Sequence, residues 1–151
     1  GLGDVYKRQR VLDRTNIRNL TPDMMGGLAD LMVGDLSFIS LKLVLPALVE
    51  CLEDGADLLP MVKPQFEVGK DRLGSGGVVR SQELREEVTV DVAQFAQGLG
   101  LSVRGVAASP LPGPSGNVEY FLWLVKDGGE AMLDDDSLAA AVQKAVKEGP
   151  Q

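Results

Sequence analysis

"LLPMVKPQFEVGK", residues 58–70, is the stretch on which the reading of this chain turns. Its first half is apolar and reads as a buried strand. Lys63 then appears, and Pro64 follows at once. An ammonium group is costly to take out of water, and a proline cannot donate to a sheet ladder. A strand that carries a lysine to its end and stops there is delivering that lysine to something.

The chain around it has 151 residues, enough for one ordinary domain. A chain of this size buries roughly 70% of the surface its unfolded form exposes. Hydrophobic residues make up 44%, charged residues 25% and aromatic residues 5%, a globular composition. No apolar run approaches the ~20 residues needed to cross a bilayer, and no basic-then-apolar signal opens the chain. No stable membrane association is expected. The single cysteine, Cys51, lies in the apolar stretch "LVLPALVECL" and reads as a buried, inert thiol. With no internal disulfide to form, a reducing, cytoplasmic compartment is expected. There is no histidine, and one cysteine cannot supply a zinc-site spacing, so no metal is expected.

The formal net charge is −7, which argues against a chain-wide nucleic-acid footprint. The charge is uneven. Residues 127–151 hold six acids and two lysines, a net of −4. The loop "KPQFEVGKDRLGSGGVVR", residues 63–80, carries Lys63, Lys70, Arg72 and Arg80 against Glu67 and Asp71. A phosphate-bearing partner would meet that loop. The alternative is a solvated loop that happens to be basic.

The first ten residues, "GLGDVYKRQR", show no clear periodicity and read as a sequencing scar, so folding information is expected to begin near Val11. "RVLD" reads as a strand stub ending at Asp13, and "ADLMVGD" as a strand ending at Asp35. "SLKLVLPALVECLEDG" has helical spacing, a kink or late start at Pro46 and a terminus at Gly55. "ADLLPMVK" is the next strand. "SQELREEVTVDVAQFAQGLG" reads as a helix with Ser81 as its N-cap. "LSVRGVAAS" (101–109) and "VEYFLWLVK" (118–126) read as strands, and "DDDSLAAAVQKAVKEG" as an amphipathic helix.

Strands separated by helices imply an α/β fold with a largely parallel sheet. The last two strands are joined only by a short loop, so they should pair antiparallel. In an open parallel sheet, ligands bind beyond the carboxyl ends of the strands. Asp35 and Lys63 sit at two such ends. If the strand 118–126 runs antiparallel to its neighbours, Glu119 at its start lies on that same edge. Strand ends are often polar because they meet solvent, but each of these three residues interrupts a strongly apolar run.

"VGDLSFISLKLVLPAL", "VKPQFEVGKDRLGSGGVVR" and "GPSGNVEYFLW" closely resemble the TlyA (hemolysin A) family, over roughly residues 11–126. The resemblance implies a Rossmann-like, FtsJ-type methyltransferase domain in which an RNA-binding domain precedes the enzyme. It implies S-adenosylmethionine-dependent methylation of ribose 2′-hydroxyls in ribosomal RNA. The expected partner is ribosomal RNA or a ribosomal subunit, and not DNA. The family's Lys-Asp-Lys-Glu tetrad places its last three members on Asp35, Lys63 and Glu119, as catalytic residues. Its first lysine and its glycine-rich cofactor loop have no counterpart here. No glycine cluster stands between a strand and a helix in G-x-G-x-x-G register. Within "VLDRTNIR", Asp13 and Asn16 are expected to bind the cofactor, Asp13 through ribose hydroxyls. Lys70, Arg72 and Arg80 are expected to meet RNA phosphates. The domain division expected is a scar at 1–10, a partial methyltransferase domain at 11–126 whose sheet is incomplete at its N-terminus, and an acidic linker with a C-terminal helix at 127–151. This chain alone is expected to be inactive. The competing reading is a non-catalytic α/β binding or interaction module.

Overall fold

The computed structural model describes residues 1–151, the side chain of Leu2 excepted. The elements in chain order are α1 (Leu2–Lys7), α2 (Pro22–Met25), β1 (Ala29–Gly34), α3 (Leu41–Glu50), β2 (Leu52–Val62), α4 (Gln82–Gly98), β3 (Leu101–Ala108), β4 (Tyr120–Lys126) and α5 (Asp135–Glu148). The four strands form one mixed sheet in the order β1-β2-β4-β3. β1 and β2 run parallel, as a helical crossover requires. β4 lies between β2 and β3 and is antiparallel to both.

The core follows from alternation. Tyr120, Leu122 and Leu124 on β4 are fully buried, while Phe121, Trp123 and Val125 on its other face are not. The buried set meets Leu58 and Val62 of β2, Leu101 and Val103 of β3, Val44 and Leu45 of α3, and Val92 of α4. α5 joins the same core through Leu138, Val142 and Val146. Truncating such a fully buried leucine to alanine costs about 2–5 kcal/mol.

Ser40 caps α3, its hydroxyl accepting from the Lys42 N–H at 3.2 Å. Ser81 caps α4 by accepting from the Leu84 N–H at 3.1 Å. Pro46 sits inside α3 without breaking it.

Two expectations need correction. Residues 10–13 form no strand; Asp13 and Arg14 lie in a turn, and Arg14 adopts φ +52°. The short "RVLD" run has no neighbouring strand to complete its ladder, and a lone strand is not stable. Ile17 and Leu20 pack against the core instead. The helix expected to reach Gly55 ends at Glu50, and β2 begins at Leu52. Gly55 is inside β2 at φ +84°, where the β1–β2 register shifts between Ala29 and Leu31. Its positive φ absorbs that irregularity at little steric cost.

Candidate active site

Three strand ends deliver the polar residues. Val62 pairs with Tyr120 across the β2–β4 ladder, so Lys63 and Glu119 follow as the next opposed pair. Gly34 pairs with Pro60 on the other side of β2, which brings Asp35 to the same edge. The Lys63 Nζ lies 2.5 Å from Asp35 Oδ1 and 4.0 Å from Glu119 Oε1. It also donates to Ser37 Oγ at 3.2 Å. Lys63 is 7% exposed and Glu119 5%, whereas the Asp35 side chain is 70% exposed. The cation is thus buried between one buried and one open carboxylate, the paired condition under which such a charge is tolerated.

Pro64 begins a 3₁₀ turn, Pro64–Phe66, straight after the lysine. The loop onward to Val79 is a series of short 3₁₀ turns pinned at several points. Glu67 ties it to α3, accepting from the Ser40 hydroxyl at 2.6 Å and the Leu41 N–H at 2.8 Å. Burial pushes the Glu67 carboxyl up from its ordinary range, and these two bonds pull it partly back. Asn117, itself buried, accepts from the Val79 N–H at 3.0 Å and donates to the carbonyls of Gly77 at 2.8 Å and Pro114 at 3.2 Å.

Ser37, which accepts from the lysine, lines a cavity of about 680 Å³ together with Phe38, Phe66, Lys70, Ser115 and Asn117. The Phe38 ring is 90% exposed and stands 5.3 Å from that of Phe66, tilted by 48°. Phe38 at φ +62° and Ser115 at φ +58° both occupy the left-handed region. Non-glycine residues adopt it at a cost of order 1–3 kcal/mol and cluster at functional sites.

The remaining expected residues are dispersed. Asp13 is exposed and lies 3.9 Å from the Arg14 Nε. Asn16 caps a local turn, accepting from the Arg18 N–H at 3.1 Å. Neither belongs to a strand end, and they form no cradle with each other among the described residues. Lys70 is exposed at the cavity rim. The Arg72 charge is engaged by Glu87 at 2.5 Å, and Arg80 donates to the Ser75 carbonyl at 3.2 Å. Sequence reasoning passed over Ser37, Phe38, Gln65, Phe66 and Gly113. Their signal is that they fall within the same three stretches, "VGDLSFISLKLVLPAL", "VKPQFEVGKDRLGSGGVVR" and "GPSGNVEYFLW", as Asp35, Lys63 and Glu119.

The mixed sheet thus gathers a lysine between two carboxylates at its strand ends. The pattern of the FtsJ-like methyltransferase family matches residues 4–126, and the chain belongs to that family. It is 58% identical over 140 residues to the 16S/23S rRNA (cytidine-2′-O)-methyltransferase TlyA of Mycobacterium tuberculosis, covering 93% of this chain and 52% of that protein. It is 36% identical over 145 residues to Bacillus subtilis YqxC, described as a "putative rRNA methyltransferase", again with 93% and 52% covered. A solved "putative hemolysin" from Lactococcus lactis superposes with a TM-score of 0.82 at 35% identity, covering 91% of this chain and 66% of that one. The chain spans about half the length of the curated relatives it matches. Among the described residues no helix is long and apolar enough to cross a membrane.

Proposed function

We propose that this chain carries the acceptor side of an S-adenosylmethionine-dependent ribosomal-RNA ribose 2′-O-methyltransferase, acting in the cytoplasm on ribosomal RNA or a ribosomal subunit and not on DNA. The observation that carries this reading is Lys63, buried at a strand end between Asp35 and Glu119. Two relatives whose names specify rRNA methylation support the substrate class.

A ribose hydroxyl is a poor nucleophile that must shed its proton as it attacks. The Lys63 ammonium, aimed by Asp35 and Ser37, holds the hydroxyl oxygen and stabilises the charge that grows on it. The Glu119 carboxylate stands by as a proton acceptor. Much of the acceleration then comes from geometry. The cavity lined by Ser37 gives the nucleobase a seat, with Phe38 as its stacking surface. Lys70 and the loop around it meet phosphates.

S-adenosylmethionine supplies the methyl group in this reading. Asp13, whose carboxylate is exposed, and Asn16, whose Oδ1 alone is engaged by its local cap, would be its contacts on this chain. This chain alone is expected to turn over little or not at all.

The experiment is methyl transfer from labelled S-adenosylmethionine to ribosomal RNA, by the 151-residue chain and by the full open reading frame. Incorporation at a ribose 2′-oxygen by the longer protein alone is the expected result. No incorporation by either, with RNA still bound, would favour a non-catalytic binding module.

A further inference from the structure

Glu119 is held by neighbours that the tetrad does not include. Its Oε1 lies 4.0 Å from the Lys63 Nζ, beyond hydrogen-bonding distance. The group that does bond to it is Gln65, whose Nε2 donates to Oε1 at 3.0 Å. A carboxylate only accepts, so the Gln65 amide can face it in one orientation, nitrogen inward. That orientation leaves the Gln65 Oε1 buried with no partner among the described residues. Gln65 is 8% exposed, so this oxygen has lost water without gaining a donor. An apolar side chain of the same length would avoid that loss. The one bond that this side chain makes is the one its nitrogen gives to Glu119.

Gly113 stands against the same carboxylate. A Cβ built there would meet Glu119 Oε1 at 2.3 Å and Cδ at 2.5 Å. Its φ of −76° is open to any residue, so the need at this position is for space and not for backbone freedom. The Gly113 N–H donates to the Asn117 carbonyl at 2.8 Å, which fixes the glycine against the carboxylate.

We propose that Gln65 and Gly113 are positioning residues that together hold the Glu119 carboxylate in its place beside Lys63. The inference rests on the reading of the site given above. Gln65 sets the direction of the carboxylate through one hydrogen bond. Gly113 supplies the gap into which it fits.

Two measurements test it. In the full-length protein, Gln65→Met removes the donor and the stranded oxygen while keeping length and packing. It also leaves the buried Glu119 without its hydrogen-bond donor, so it should melt somewhat below the parent temperature while staying folded. It should lose about 10- to 100-fold in kcat, the order expected for a small misplacement of a reacting group, with KM for ribosomal RNA unchanged. In a Glu119→Ala background the same substitution should have no further effect. In the 151-residue chain, Gly113→Ala should lower the melting temperature or abolish the folded signal, and adding Glu119→Ala should restore it. Parent kcat in Gln65→Met overturns the role of Gln65. A Gly113→Ala defect that Glu119→Ala does not relieve overturns the role of Gly113. Parent turnover in Glu119→Ala alone would instead overturn the catalytic reading, while the melting pair would still decide whether Gly113 makes room for the carboxylate.

Discussion

Val62 on β2 stands opposite Tyr120 on β4, and both are fully buried. That register carries the site. One step along the ladder toward the sheet edge, the pair becomes Lys63 and Glu119, and the backbone hands two charged side chains to one point. A slip of one residue would turn every β4 side chain to the opposite face, exposing Tyr120, Leu122 and Leu124. The apolar packing that fixes the sheet therefore also fixes the ion cluster.

Lys63→Met in the full-length protein should lower ribose methylation by about 10²–10³-fold, the range for one donor that stabilises charge growing on a reacting oxygen. RNA affinity should hardly change, because the lysine is buried and contributes little to the surface that RNA meets. Single-turnover methyl incorporation beside filter binding separates the two effects. Turnover at the parent rate would remove Lys63 from the chemistry.

Phe38→Ala should leave the melting temperature within a degree or two of the parent, since the ring is 90% exposed and supports little core. Its effect should fall on RNA binding, where one stacked base is worth about 1–3 kcal/mol. A KM raised tenfold or more with kcat nearly intact is the expected pattern. An unchanged KM would mean that the cavity holds no stacked base.

Lys70 and Arg72 should behave differently although both lie in the basic loop. Arg72 is already engaged by Glu87 at 2.5 Å, whereas Lys70 is exposed at the cavity rim. Lys70→Ala should weaken RNA binding and reduce the slope of log affinity against log salt by about 1. Arg72→Ala should change that slope less. Equal effects from the two substitutions would show that the Arg72–Glu87 pair opens in the complex.

Glu67 makes the pH dependence of stability testable. Burial raises its carboxyl above the ordinary value of 4.5, the bonds from Ser40 and Leu41 offsetting this in part. A raised carboxyl holds its proton more tightly in the folded chain than in the unfolded one. It destabilises the fold at pH above its folded value, and that penalty fades as pH falls toward 4.5. Glu67→Gln removes the titration. The stability of the substituted chain relative to the parent should therefore rise as pH increases from 4.5 through neutrality. Urea unfolding across that range checks the trend, and a flat difference would show that solvation of Glu67 is unaltered on folding.

The strands with strong patterns were legible because alternation is a local property. "VEYFLWLVK" sends every second residue to the core in the structure as in the pattern. The three strand-end charges were legible because each interrupts a long apolar run, and such interruptions are conspicuous in sequence. "RVLD" was misread because four residues cannot show whether a neighbouring strand exists to pair with them. Gly55 was misread because a glycine at positive φ serves a helix end and a strand irregularity equally well.

By itself the sequence determined the order of strands and helices from β1 onward, the antiparallel reversal at the end of the sheet and the identity of Asp35, Lys63 and Glu119 as polar strand ends. These follow from hydrophobic periodicity and loop length, which act between near neighbours in the chain. Only the tertiary structure decided that Ser37 shares the lysine, that Arg72 is paired with Glu87, that Phe38 lines a cavity, and that Gln65 and Gly113 both stand against one carboxylate. Gln65 and Glu119 are 54 residues apart, and nothing local marks either for the other. Such pairings arise from the register of β2 against β4, which is set by the packing of the whole core.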